Sequence, residues 1–101
     1  MKKRLNPADR KAQIMIAAVS LAEKNGWAQL TRDGVATAAG VSAGLVTFYF
    51  PAIDDLRQQV MRKAVRDEIL SIVADGLVAR NPAAMEASVE LRQKAVAAAV
   101  S

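Results

Sequence analysis

Neither cysteine nor histidine occurs anywhere in this 101-residue chain, and those two absences remove much of the usual catalytic and metal-binding chemistry. Without cysteine there are no disulfides and no thiolate metal sites, and nothing follows about redox compartment. Without either residue the commonest zinc ligands and the commonest general base are gone, so no metal site, no cofactor and no enzymatic activity are expected. Long apolar runs are missing too. No segment reaches the roughly 18 apolar residues of a membrane span, and the basic start MKKRLNPADRK leads into no apolar core of a signal peptide. A soluble, cytoplasmic protein without a membrane partner is expected. No stretch has the β-branched alternation of a strand, which leaves an all-α fold.

What is present is one domain's worth of chain with 52% apolar residues, ample for a helical core. About five helices fit the pattern. The first runs from about Pro7 to Lys24, with Asn6 as N-cap, Pro7 at N1, and Ile14, Ala17, Ala18 and Leu21 on one face. Asn25-Gly26 stops it, and Trp27 is expected to pack just beyond. Two short helices follow. After Phe50-Pro51, a long helix from about Ala52 to Ala74 carries Ile53, Leu56, Val60, Ala64 and Ile69 inward. Gly76 and Asn81-Pro82 mark the next break, and a last helix spans about Pro82 to Val100. The expected division is residues 1–51 as a helix-turn-helix unit and 52–101 as a helical dimerisation unit.

The two short helices lie in TRDGVATAAGVSAGLVTFYF, residues 31–50. Thr31 can cap the first, Gly40 supplies the positive φ that ends it, and Ser42 caps the second across a short turn. That spacing predicts a helix-turn-helix whose second helix enters a DNA major groove, with Val41, Val46 and Phe50 packed beneath. Charge agrees. Residues 1–50 hold seven Lys/Arg against three acids, whereas residues 51–101 hold seven of each, so all the excess positive charge accompanies the helix-turn-helix. Gly40-Val41-Ser42-Ala43-Gly44 also fits the G-x-S-x-G elbow of α/β-hydrolases. Its setting is wrong, because an alanine-rich helix precedes it and no histidine base exists.

From about Arg10 to Val60 the chain resembles the DNA-binding region of the TetR family of transcriptional repressors. The residues that carry the resemblance are Ile14, Ala17, Ala18, Gly26 and Trp27, then Thr31, Val35-Ala36, Ala39-Gly40-Val41-Ser42, Tyr49-Phe50 and Asp55-Leu56. The resemblance implies that Ser42, Ala43, Gly44, Leu45, Thr47, Phe48 and Tyr49 form the groove-facing surface. Small Ala43 and Gly44 suit close backbone approach, and Leu45 and Phe48 suit thymine methyls. Hydroxyls of Thr47 and Tyr49, and backbone N–H groups at the Thr31 and Ser42 helix starts, suit phosphates. Arg32 is the candidate charged contact. The chain departs from the family pattern at Thr47, where a phosphate-contacting tyrosine is usual, and at Ile53, where a lysine is usual. Lys2, Lys3 and Arg4 can compensate as a basic arm.

Other roles compete for these residues: Leu45 can be plain packing, Arg32 a solvated helix-start charge, and of the adjacent aromatics Phe50 is expected buried and Phe48 exposed. In the second half, Ile69, Ile72, Val73, Leu77 and Val78, with Met85, Val89, Leu91, Val96 and Val100, exceed what two helices can hide. A symmetric homodimer is expected. The family's effector domain is expected to be replaced by this shorter unit, without a small-molecule effector pocket. The function expected is a repressor that binds a palindromic double-stranded operator as a homodimer; the alternative is a protein-binding adaptor or antirepressor that retains the fold.

Overall fold

The computed structural model describes residues 6–101, all of whose regular elements are helical. They are α1 (Pro7–Asn25), a 3-10 turn (Trp27–Gln29), α2 (Arg32–Ala39), α3 (Ala43–Tyr49), α4 (Ile53–Asp67), α5 (Leu70–Val78), α6 (Pro82–Met85) and α7 (Val89–Val100). The all-α expectation holds, but the number of helices does not: seven occupy the described residues where about five were expected.

Both extra breaks fall where the apolar period runs on without glycine or proline. The long helix expected over residues 52–74 ends instead at Asp67, because Glu68 takes a left-handed conformation at φ 55°, ψ 48°. The Ile69 N–H then reaches back to the Ala64 carbonyl at 2.8 Å, closing the helix as a glycine cap would. α5 ends the same way, with Arg80 at φ 55° and the Asn81 N–H on the Gly76 carbonyl at 2.8 Å. The helix expected over 82–100 also splits. Ser88 caps α7 by accepting from the Leu91 N–H at 3.1 Å, so α6 is a single turn that reverses the chain.

One apolar core runs through both halves. Ile14 and Ala18 of α1, Val35 of α2, and Val46 with Phe50 close the helix-turn-helix from beneath. Ala17 and Leu21, expected on the buried face of α1, are only half-buried, and Val19 and Ala22 take the inner positions. Leu56, Val60, Met61 and Ala64 carry the core along α4 to Ile72 and Val73 of α5. α7 lays Leu91 and Ala95 on α5. Its opposite face is open: Val89, Val96 and Val100 are 56%, 53% and 79% exposed.

A candidate nucleic-acid interface on α2 and α3

The caps fix the two short helices. Thr31 Oγ1 accepts from the Gly34 N–H at 3.0 Å, and Ser42 Oγ accepts from the Leu45 N–H at 3.1 Å. Such caps contribute about 1 kcal/mol each. Because both hydroxyls accept inward, each keeps its own proton free to donate outward. Between the helices Gly40 sits at φ 70°, ψ 32°, and the Val41 N–H reaches the Ala36 carbonyl at 3.0 Å. This closes α2 and aims α3 across it, in a turn of three residues.

α3 turns Val46 and the following Phe50 inward, at 0% and 1% exposure, and turns Ser42, Gly44, Thr47 and Phe48 to solvent. Phe48 is 74% exposed, with Phe50 buried, as the sequence reading has it. Ala43, Leu45 and Tyr49 are half-buried, so Leu45 divides its surface between packing and solvent. The Phe48 and Tyr49 rings meet edge to face at 5.0 Å. No charged side chain lies on α3.

Two residues are more committed to the protein than their sequence suggests. The Thr47 hydroxyl donates to the Ala43 carbonyl at 3.1 Å, one turn back along its own helix. To donate to a phosphate it must leave that bond; its oxygen stays available as an acceptor. Arg32, at the start of α2, donates through Nη2 to the Pro51 carbonyl at 3.2 Å, and its Nε is buried with no partner among the described residues. Arg32 therefore clips the start of α2 to the α3–α4 junction. Lys2, Lys3 and Arg4 lie outside the described residues.

Gly44 stands apart, being an exposed glycine in the first turn of α3. A Cβ built there meets only Ser42 Oγ, at 3.8 Å, so nothing in the fold excludes alanine. Glycine in a helix costs about 0.5–1 kcal/mol relative to alanine. The fold thus gains nothing from it, whereas a ligand pressed against the backbone would.

Hydrogen bonds that the sequence reading did not foresee hold this unit on α4 and α5. Trp27 Nε1 donates to the Arg57 carbonyl at 2.9 Å, and its backbone N–H donates to the Asp75 carboxylate at 3.0 Å. Arg57 returns a bond to the Leu30 carbonyl at 2.7 Å and pairs with Asp54 at 2.8 Å. Gln13 of α1 donates to the Ala39 carbonyl at 3.2 Å, beside the turn. These partners are 26 to 48 residues apart in sequence, and no local pattern announces them.

Residues 14–60 match the family model of bacterial regulatory proteins, tetR family. That match, over just under half of the chain, supports a TetR-family N-terminal helix-turn-helix domain. No curated protein and no solved structure shows significant similarity to the chain. The matched span runs from Ile14 on α1 to Val60 on α4, so the TetR-type domain includes the Trp27–Arg57–Leu30 connection as well as the two capped helices. This family consists of DNA-binding transcription regulators, not enzymes. Among the described residues no helix is long and apolar enough to cross a membrane, and no group of three or more acids could hold a metal ion.

Proposed function

We propose that this protein is a cytoplasmic, sequence-specific transcriptional repressor that binds a palindromic operator as a homodimer and occludes a promoter. The observation that supports it most is Gly44: an exposed glycine the fold does not require, at the second position of the helix that a TetR-type domain lays in the major groove. With Ala43 it lets the backbone approach base edges. Phe48 and the exposed part of Leu45 suit thymine methyls, and the outward hydroxyl protons of Thr31 and Ser42 suit phosphate oxygens, with Tyr49 beside them. Arg32 is already anchored, so it serves as a fixed positive charge rather than a base reader. Lys2, Lys3 and Arg4 supply the remaining charge.

The dimer reading rests on α7. Val89, Gln93, Val96 and Val100 follow one another at steps of four, three and four, and that row is symmetric about its own midpoint. Two copies of α7 laid antiparallel across a two-fold axis therefore set Val89 against Val100 and Gln93 against Val96. The division of labour is then residues 1–51 for DNA and 52–101 for self-association. The clefts between α1 and α4, along α7 and beside Gly26 are open surface depressions, which supports control by concentration or by a partner protein rather than by an enclosed small-molecule effector.

The lack of charge on α3 favours a second reading, a protein-binding adaptor or antirepressor that keeps the fold. A binding titration on duplex DNA from upstream of the protein's own gene, at two salt concentrations, separates the two. The repressor reading expects half-sites about 34 Å apart or a multiple of it, and a steep fall in affinity with salt. Equal, weak affinity for that DNA and for random duplex at both salts rejects it.

A further inference from the structure

A cleft of about 530 Å³ lies away from the α3 face, between α1 and α4. Four cations line it: Lys11 from α1, and Arg62, Lys63 and Arg66 from α4. The acid that pairs with this group is Asp67, 2.9 Å from Lys63 and 3.8 Å from Arg66. Arg62 and Arg66 are exposed and lie one turn apart, and Lys11 sits 5.2 Å from the Phe50 ring centre. Apart from Lys11, the α1 wall is apolar, formed by Ala8, Ala12 and half-buried Met15.

We propose that this cleft is a docking site for an acidic amphipathic helix of a partner protein. Its two chemistries select the occupant. Carboxylates one turn apart on a helix have Cβ atoms about 5–6 Å apart, the same repeat that Arg62 and Arg66 present along α4. An apolar side chain on the adjoining face of that helix meets Ala8, Ala12 and Met15. Inorganic phosphate satisfies the cations but leaves the apolar wall and most of the volume empty. A nucleic-acid backbone has no apolar face to offer that wall. The excess of positive charge speeds encounter with an acidic partner. The site is separate from the α3 surface and does not depend on the DNA-binding reading.

The test is NMR titration of the full-length, 15N-labelled chain with a fourteen-residue helical peptide bearing glutamate pairs at i, i+4 and leucines on the adjoining face. Twin peptides carry Glu→Lys or Leu→Ser, and inorganic phosphate is run as the bare anion. The proposal expects amide shifts in residues 8–15 and 59–66 with the acidic peptide alone. It expects the Leu→Ser twin to bind several-fold more weakly, and Arg62→Glu/Arg66→Glu to weaken binding tenfold or more at an unchanged melting temperature. No shifts in that cleft, or equal effects from the Leu→Ser twin or phosphate, overturn it. So does a tenfold loss of duplex DNA affinity in the double variant, which would make the cleft a phosphate-backbone contact instead. Duplex binding by the unaltered chain is measured separately, so failure of one reading leaves the other standing.

Discussion

The helix-turn-helix segment and the segment after it are built from the same kind of helix but handle apolar surface in opposite ways. Between Thr31 and Phe50 the large inward side chains are buried, and the one large apolar side chain left exposed is the ring of Phe48. Beyond Gly76, Val78, Met85, Val89, Val96 and Val100 are all exposed, from 45% to 87%. All four aromatic residues lie at positions 27–50; the second half packs with small aliphatic side chains. A surface finished in itself, with one ring and one bare backbone patch outward, is suited to a rigid polar ligand. An unfinished apolar surface is suited to another protein surface.

The comparison breaks most severely if its buried side is cut. Phe50→Ala removes a ring that is 1% exposed beneath α3 and should cost about 3–5 kcal/mol, read as a fall in the denaturation midpoint, with DNA binding lost alongside. The open side should behave differently. Val96→Glu leaves the melting temperature of the dilute chain unchanged but places a carboxylate at the middle of the α7 row, weakening self-association by about tenfold or more, roughly 1.4 kcal/mol, in sedimentation equilibrium. An unaltered association constant would remove α7 from the interface.

Gly44→Ala sharpens the comparison, because fold and function should move in opposite directions. Alanine finds open space there and should stabilise the fold by at most about 0.5–1 kcal/mol, the value for a helix middle, while its methyl holds the backbone off the bases and lowers operator affinity. A variant that melts higher and binds as before would show that Gly44 has no contact role.

The smallest effect concerns Asp67. Its hydrogen bond from Lys63 holds its carboxyl below the ordinary value of 3.8, against a smaller opposing effect of desolvation. A lowered acid contributes stability that is present above the unfolded value and is lost as pH falls through the folded one. The difference between the native chain and Asp67→Asn should therefore vanish only below about pH 4, and it should shrink in high salt because the pair is solvent-exposed.

How much of this was legible in the sequence follows from the range of each interaction. Asn6, Thr31, Ser42 and Gly40 act within three or four residues of themselves, and the structure has each doing what its type and spacing predict. Val46 and Phe50 were readable from helical period. The break before Asn81-Pro82 was readable too, but the one at Glu68 was not, because a left-handed glutamate carries no local signature and α5 packs back on α4 beyond it. Ser88 was readable in principle as a cap three residues before Leu91, but the apolar period continues through it. Within the site, Arg32 was assigned from its charge at the start of α2, and Thr47 from the family resemblance and its hydroxyl. The bond of Arg32 to Pro51 depends on how the start of α2 meets the α3–α4 junction, which residue type does not encode, whereas that of Thr47 to Ala43 is the local bond a threonine can make one turn back in a helix. The clamp of Trp27, Arg57 and Asp75 joins segments far apart in sequence.

The most direct test of the account is amide chemical-shift mapping of the full chain on a duplex that it binds in the two-salt titration. The account predicts that the largest perturbations fall on residues 31–49, with Gly44 among them, and that Val89 to Val100 stay unmoved. Perturbations concentrated on α5 to α7, with α3 silent, would contradict it.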